Sequence, residues 1–197
     1  MKRILGCGAL VVLLPLLALI ILGLILPSNY SIDRSVTIDA PPEEIYASIS
    51  DFKRWPEWVR FQAPGSQEET KFSFSGAASG TGSVLHWNSE DGAIGVGTFT
   101  MTEANPTKGI SYAVSVESSK FEGTGSIHFQ SVEAGTLVTW HDEGQLPPVT
   151  GGLLSWIYEA GTSARIEDDL ARMKNMLESP EDAPTIDKSA APTPGGG

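Results

Sequence analysis

Hydrophobic and polar positions divide the chain into three stretches with different periods. Ile4 to Leu26 is a run of 23 residues without a single charge. As one helix it would measure about 35 Å, enough to cross a hydrocarbon core of about 30 Å with some tilt. A cleaved signal peptide is the rival expectation, but its apolar region is about 7–15 residues long and ends in small residues. Here the run is longer and ends Leu24-Ile25-Leu26-Pro27-Ser28-Asn29. From Tyr30 the pattern changes. Ile32, Val36 and Ile38 alternate as in a strand. Asp39-Ala40-Pro41-Pro42-Glu43-Glu44 then predicts a helix start, with prolines at the entry and acids in the first turn. That helix runs to about Ser50, and a short helical turn spans Asp51 to Trp58. Six strands follow at about 70–75, 82–88, 95–103, 109–116, 121–130 and 135–143, separated by glycine-rich turns, as in an antiparallel meander. Ile166, Leu170, Met173 and Leu177 recur at helical spacing in a final helix over about 153–177.

These elements predict an α+β domain over residues 28–177. A curved antiparallel sheet of about seven strands wraps the long C-terminal helix, because that arrangement buries both apolar faces. Residues 1–27 are expected to form a transmembrane anchor. Residues 178–197, rich in Pro, Ala and Gly with Ile186 as the one large apolar side chain, are expected to be a disordered tail.

Charge sharpens the picture. The chain carries −11 overall, and setting aside Lys2 and Arg3, the only charges before Asp33, leaves −13 on the rest. Such a surface excludes nucleic-acid binding through general electrostatics. The basic pair before the apolar run, with acids after it, predicts a cytoplasmic N-terminus and a periplasmic or extracellular domain. The single cysteine, Cys7, excludes an intrachain disulfide framework and a cysteine-based zinc site. No G-x-S-x-G, H-E-x-x-H or calcium-loop motif is present. The glycine-rich segments 76–82 and 92–97 join strand to strand and lack the helix N-terminus of a phosphate cradle. No cofactor is expected.

Two segments carry a family resemblance: Arg34-Ser35-Val36-Thr37-Ile38-Asp39-Ala40-Pro41 and Ile49-Ser50-Asp51-Phe52-Lys53-Arg54-Trp55-Pro56-Glu57-Trp58. Gly82-Ser83 leading into Trp87, and Gly135-Thr136-Leu137-Val138-Thr139-Trp140, add to it. Over residues 30–177 the chain resembles the polyketide cyclase/dehydrase and lipid transport family of the SRPBCC, or START-like, superfamily. The resemblance implies a helix-grip fold with a deep apolar cavity between sheet and long helix, in members that include lipid carriers, quinone-binding proteins and cyclases.

Strand parity tests that cavity from the residues themselves. Leu85 and Trp87, Phe99 and Met101, Tyr112 and Val114, Ile127 and Phe129, and Val138 and Trp140 each share one side, expected to face inward and line a ligand cavity. His86, His128 and His141 fall out of phase and are expected on the solvent side, without the mutual approach of zinc ligands. Asp142 and Glu103 continue the inward parity, as candidate cavity-mouth carboxylates that would orient a polar headgroup or act as an acid–base group; frayed strand ends are the alternative. Trp55, Trp58 and Trp156 are expected at the cavity, and one of Trp55 and Trp58 is a candidate gate over its mouth or foot on the lipid surface, with a structural role the alternative. Ala160, Gly161 and Ala164 are expected to face the sheet, and Glu167-Asp168-Asp169 to form a solvated helix face.

The expected function is a membrane-anchored binding protein for a hydrophobic small molecule: a lipid, a quinone or an isoprenoid-like compound. Two alternatives stay open: a cyclase or dehydratase acting through Asp142 or Glu103, and an interaction module whose cavity is filled by its own side chains.

Overall fold

The computed structural model describes residues 2–179 apart from 64, 93 and 118–120, with side chains from residue 13 onward except at 150. Of the disordered tail expected over 178–197, residues 180–197 lie outside the described residues, and Glu178 belongs to the last helix. The chain begins with helix α1 (Lys2–Ile25), which contains Pro15. Strand β1 (Asn29–Ile38), helix α2 (Pro42–Ile49) and the short helix α3 (Trp55–Trp58) follow. Strands β2 (Lys71–Gly76), β3 (Ser83–Asn88), β4 (Val96–Asn105), β5 (Gly109–Val116), β6 (Phe121–Val132) and β7 (Gly135–Gln145) lead to helix α4 (Thr150–Glu178). Among the described residues no helix is long and apolar enough to cross a membrane. The expected 23-residue span lies partly outside the described side chains, which cover only its last part.

The seven strands form one antiparallel sheet in the order β1-β7-β6-β5-β4-β3-β2. The first strand therefore pairs with the last, and the remaining strands run as a meander to the far edge. The concave face is closed by α4, whose Ile166, Leu170 and Met173 are buried against it, and by Ile45 and Ile49 of α2. The prolines start α2 as their chemistry requires: Pro41 is the extended cap residue and Pro42 opens the first turn.

One irregularity matters for the site. The pairing of β4 with β5 shifts at Met101/Glu103 through a β-bulge. An extra residue on one strand inverts the alternation beyond it. Met101 is buried, whereas Glu103 is exposed. The inward placement expected for Glu103 is thus overturned by the bulge.

The junction of α1 with α4 is the other feature of consequence. Gly23 and Gly152 meet so closely that a Cβ on either would run into backbone, at Val149 O from one side and at Gly23 O from the other. Val149, the residue before α4, has φ of 69°. A β-branched residue in that region is strained, and it sits where the chain turns out of Pro147-Pro148 against α1.

Candidate functional site

The site grows from a row of residues across the concave face. Register places Ile32 of β1 beside Asp142 of β7, Asp142 beside Gly125 of β6, and Gly125 beside Tyr112 of β5. Gly125 is what makes the row work. A Cβ there would overlap the Tyr112 hydroxyl, so only a bare backbone lets the phenol lie across β6 and reach β7. Tyr112 Oη donates to Asp142 Oδ2 at 2.9 Å, and Tyr30 Oη donates to Asp142 Oδ1 at 2.8 Å. Behind them Trp140 Nε1 donates to Tyr112 Oη at 2.7 Å. The order Trp140, Tyr112, Asp142 is a continuous hydrogen-bond chain in the core, and polarisation along such a chain strengthens each link.

Burial pushes the Asp142 carboxyl above its usual range, against the two tyrosine hydrogen bonds and the nearby Arg165, which favour the charged form. Tyr112 and Tyr30 are raised in turn, first by burial and then by the Asp142 charge. Both phenols therefore stay protonated as donors at neutral pH. Asp142 is 6% exposed, so it is an enclosed carboxylate and not a frayed strand end.

The row opens onto a cavity of about 260 Å3 between the sheet and α4. Trp87, Phe99, Phe61 and Phe121 give it aromatic walls, while Asp142, Tyr30, Tyr158, Thr162 and Arg165 gather at a polar end. The Tyr30 and Tyr158 rings lie 4.8 Å apart. Val59, Arg60 and Phe61 also wall a second hollow of about 300 Å3, which extends toward Phe72 and Arg172. A larger groove of about 590 Å3 belongs mainly to the outer face, with Thr98, Thr100, Ser115, Thr124 and Glu143 in its lining. It lacks the aromatic walls and the buried carboxylate of the inner cavity.

Of the side chains expected at the cavity, Trp87, Phe99 and Val114 line it. Leu85, Met101, Tyr112, Ile127, Phe129, Val138 and Trp140 face inward and are buried in the surrounding core. Trp55 and Trp58 are each 0% exposed, so neither is a gate or a foot on a surface. Trp55 Nε1 donates to the Ile49 carbonyl at 2.9 Å, and the ring packs at 6.1 Å from Trp140. The indole N–H of Trp58 is buried without a hydrogen-bond partner. Trp156 is 68% exposed and lies outside the cavity altogether. Ala160, Gly161 and Ala164 are exposed on the outer side of α4, with open space where a Gly161 Cβ would stand. The helix is rotated so that Tyr158, Thr162 and Arg165 face the sheet instead.

The three histidines lie on the outer side. His86 bonds Ser75 and Thr98 there, each at 3.1 Å, and His141 contacts Asp33 at 2.9 Å. The hydrogen bond that His141 donates to the Asp33 carboxylate raises its pKa. Among the described residues no group of three His, Cys, Asp or Glu side chains is arranged to hold a metal ion. One acid departs from expectation. Asp169 is not on a solvated face; it is fully buried and accepts the Arg60 backbone N–H at 2.9 Å, with Arg165 Nη1 at 3.2 Å. Burial raises its pKa to about 6, with Arg165 acting in the opposite direction.

Several site residues were not reached from the sequence, although signals existed for some of them. Phe121 shares the parity of Ile127 and Phe129, and Tyr158, Thr162 and Asp169 follow one another at steps of four and seven on one face of a helix. Gly125 interrupts an otherwise regular strand, the usual mark of close approach. Tyr30 shares the parity of Ile32 and Ile38, but nothing in the local pattern paired it with Asp142.

A curved seven-stranded sheet gripping a C-terminal helix over an aromatic cavity defines a helix-grip protein of the SRPBCC superfamily. The family model described as "Polyketide cyclase / dehydrase and lipid transport" matches residues 30–178, and the chain belongs to that family. No curated protein matches the chain. Among solved structures, the Aha1 dimer from Colwellia psychrerythraea is similar at TM-score 0.53 and 20% identity, covering 76% of this chain and 96% of that one. A protein of unknown function from Staphylococcus aureus reaches TM-score 0.60 at 11% identity, covering 76% and 94%. The di-domain ARO/CYC BexL from the BE-7585A biosynthetic pathway reaches TM-score 0.57 at 18% identity, covering 78% of this chain and 52% of that one. At these identities the likeness is one of fold.

Proposed function

We propose that this chain is a membrane-anchored binding protein for a small, largely apolar molecule that carries one oxygen-bearing head. The observation that carries the proposal is the division of the inner cavity into aromatic walls and a polar end built on Asp142. An apolar pocket with a few convergent polar groups is the usual form of a small-molecule site. The cavity of about 260 Å3 is below the range of about 300–1,000 Å3 typical of drug-sized ligands. It therefore suits one flat ring system, as in a quinone or an isoprenoid-like head, better than a two-chain lipid. Arg165, Tyr158 and Thr162 offer donors to a carbonyl or hydroxyl, and the Asp142 carboxylate offers an acceptor. The charge-free run at the N-terminus, flanked by Lys2 and Arg3, supports an anchor that holds the domain outside the cytoplasm.

The test is native mass spectrometry of the full chain released from detergent. A co-purifying molecule of defined mass is expected, and Thr162→Trp, which puts an indole into the cavity from α4, is expected to abolish it while far-UV circular dichroism stays unchanged. A bare polypeptide mass for the natural sequence counts against the proposal.

The enclosed Asp142 with its raised pKa favours one second reading, an acid–base enzyme of the cyclase or dehydratase type. Asp142→Asn separates the two. A binder keeps its ligand with at most a modest loss of affinity, whereas an enzyme keeps its ligand and loses turnover by about 100-fold or more.

A further inference from the structure

Beyond the cavity, the first two turns of α4 are unusual for a water-facing helix. Leu154, Trp156 and Ile157 are 50%, 68% and 50% exposed. At about 100° per residue the three fall within an arc of about 160°, one broad face of the helix turned away from the sheet. From Leu146 through Tyr158, 13 residues pass without a charge. An apolar face of this breadth that no protein covers calls for an apolar surrounding.

The contact with α1 indicates which surrounding that is. Gly152 meets Gly23, and Gly151 lies against Ser28, so the start of α4 is seated on the end of α1. Leu146 N donates to Ser28 O at 2.9 Å and ties the other side of the junction. The segment it meets is itself free of charge from Ile4 to Ile32, with Leu22, Leu24 and Ile25 exposed. The exposed side chains of α4 thus continue the apolar surface of α1. Trp156 follows Gly152 by four residues, on the side of α4 that faces α1. Tryptophan with this exposure beside an apolar helix end fits the headgroup level of a bilayer, where an amphipathic ring is favoured.

We propose that Leu154, Trp156 and Ile157 form a foot that docks in the lipid interface beside α1. The occupant is the bilayer itself. The domain is then seated on the membrane, not merely tethered to it. Leu154 stands four residues before Tyr158, which lines the cavity, so the foot and the polar end of the site belong to adjacent turns of α4, about 6 Å apart along its axis. A hydrophobic molecule passes from the acyl layer toward the cavity along that turn without crossing bulk water. The proposal rests on α1 being a membrane anchor.

The tryptophans provide the assay. Trp55, Trp58, Trp87 and Trp140 are buried at 6% exposure or less, so of the five in the chain only Trp156 can meet lipid or solvent. The full chain is reconstituted in phosphatidylcholine liposomes with and without lipid brominated near the glycerol end of the acyl chain. Flotation reports the anchor and tryptophan emission reports the foot. The expected result is a floating protein that loses roughly one-fifth of its emission in brominated vesicles, its share as one of five tryptophans. Trp156→Phe should remove that loss while flotation persists. Flotation with emission indifferent to bromine overturns the foot and leaves the anchor in place. Emission shielded from aqueous acrylamide yet indifferent to bromine assigns the face to a second protein surface, and also overturns the foot. A chain that does not float overturns both.

Discussion

Tyr112 spans three strands to do its work. Its ring crosses β6 over Gly125, its hydroxyl accepts from Trp140, and the same oxygen donates to Asp142. Each of these groups is buried, so losing a partner leaves an unsatisfied polar atom, at a cost of about 1–3 kcal/mol. Gly125→Ala tests the arrangement without touching any hydrogen-bonding side chain. The added methyl displaces the Tyr112 hydroxyl, and urea unfolding is expected to show a loss of about 2–4 kcal/mol from overlap and the broken bond together. Unchanged stability would mean that the phenol has another way to reach Asp142. The inward side of Asp142 was readable from its parity with Trp140. The partners that set its chemistry were not, because Tyr30 and Tyr112 lie 112 and 30 residues away and only sheet register brings them together.

At the scale of elements, the strands and helices follow the hydrophobic period closely, since alternation and helical spacing are local properties. Two departures have local causes acting at a distance. The bulge between Met101 and Glu103 turns Glu103 outward, and the rotation of α4 sends Ala160 and Ala164 outward while burying Asp169. Rotation follows from what packs beneath the helix. Ile166, Leu170 and Met173 lock it against the sheet, and residues offset by about 100° or more have no choice. The α1–α4 junction is a separate element-scale device, in which two glycines permit backbone contact. Gly152→Val is expected to pry it open. Hydrogen exchange should then quicken at least tenfold at residues 23–29 while the central strands keep their protection. Equal protection in both regions would show that the contact does not hold α1 to the domain.

For the whole molecule, buried carboxylates and net negative charge act together. Asp169 has a folded pKa of about 6 against an unfolded 3.8, so between those values the native state binds more protons than the unfolded chain. Stability from this group is fully present below 3.8 and is lost as pH rises through 6, a change on the order of 3 kcal/mol. Asp142 and His141, both raised, tilt the curve the same way, and repulsion within a chain of net charge −11 grows along it. Unfolding free energy should therefore fall between pH 4 and pH 7, and Asp169→Asn should flatten that fall. A variant whose stability declines as steeply as that of the natural chain would exclude Asp169 as its source.

The sequence by itself determined the order of elements, the inward face of each regular strand, the charge-free run at the N-terminus and the family. All of these depend on near neighbours along the chain or on composition. Tertiary structure alone decided which inward residues wall a cavity and which are core. It also decided that Trp55 and Trp58 are buried while Trp156 is bare, and that of the two candidate acids Asp142 is enclosed and Glu103 is not. Those outcomes depend on register, on one bulge and on the rotation of one helix. Each is fixed by contacts between residues far apart in sequence, where a shift of a single position reverses which way a side chain points.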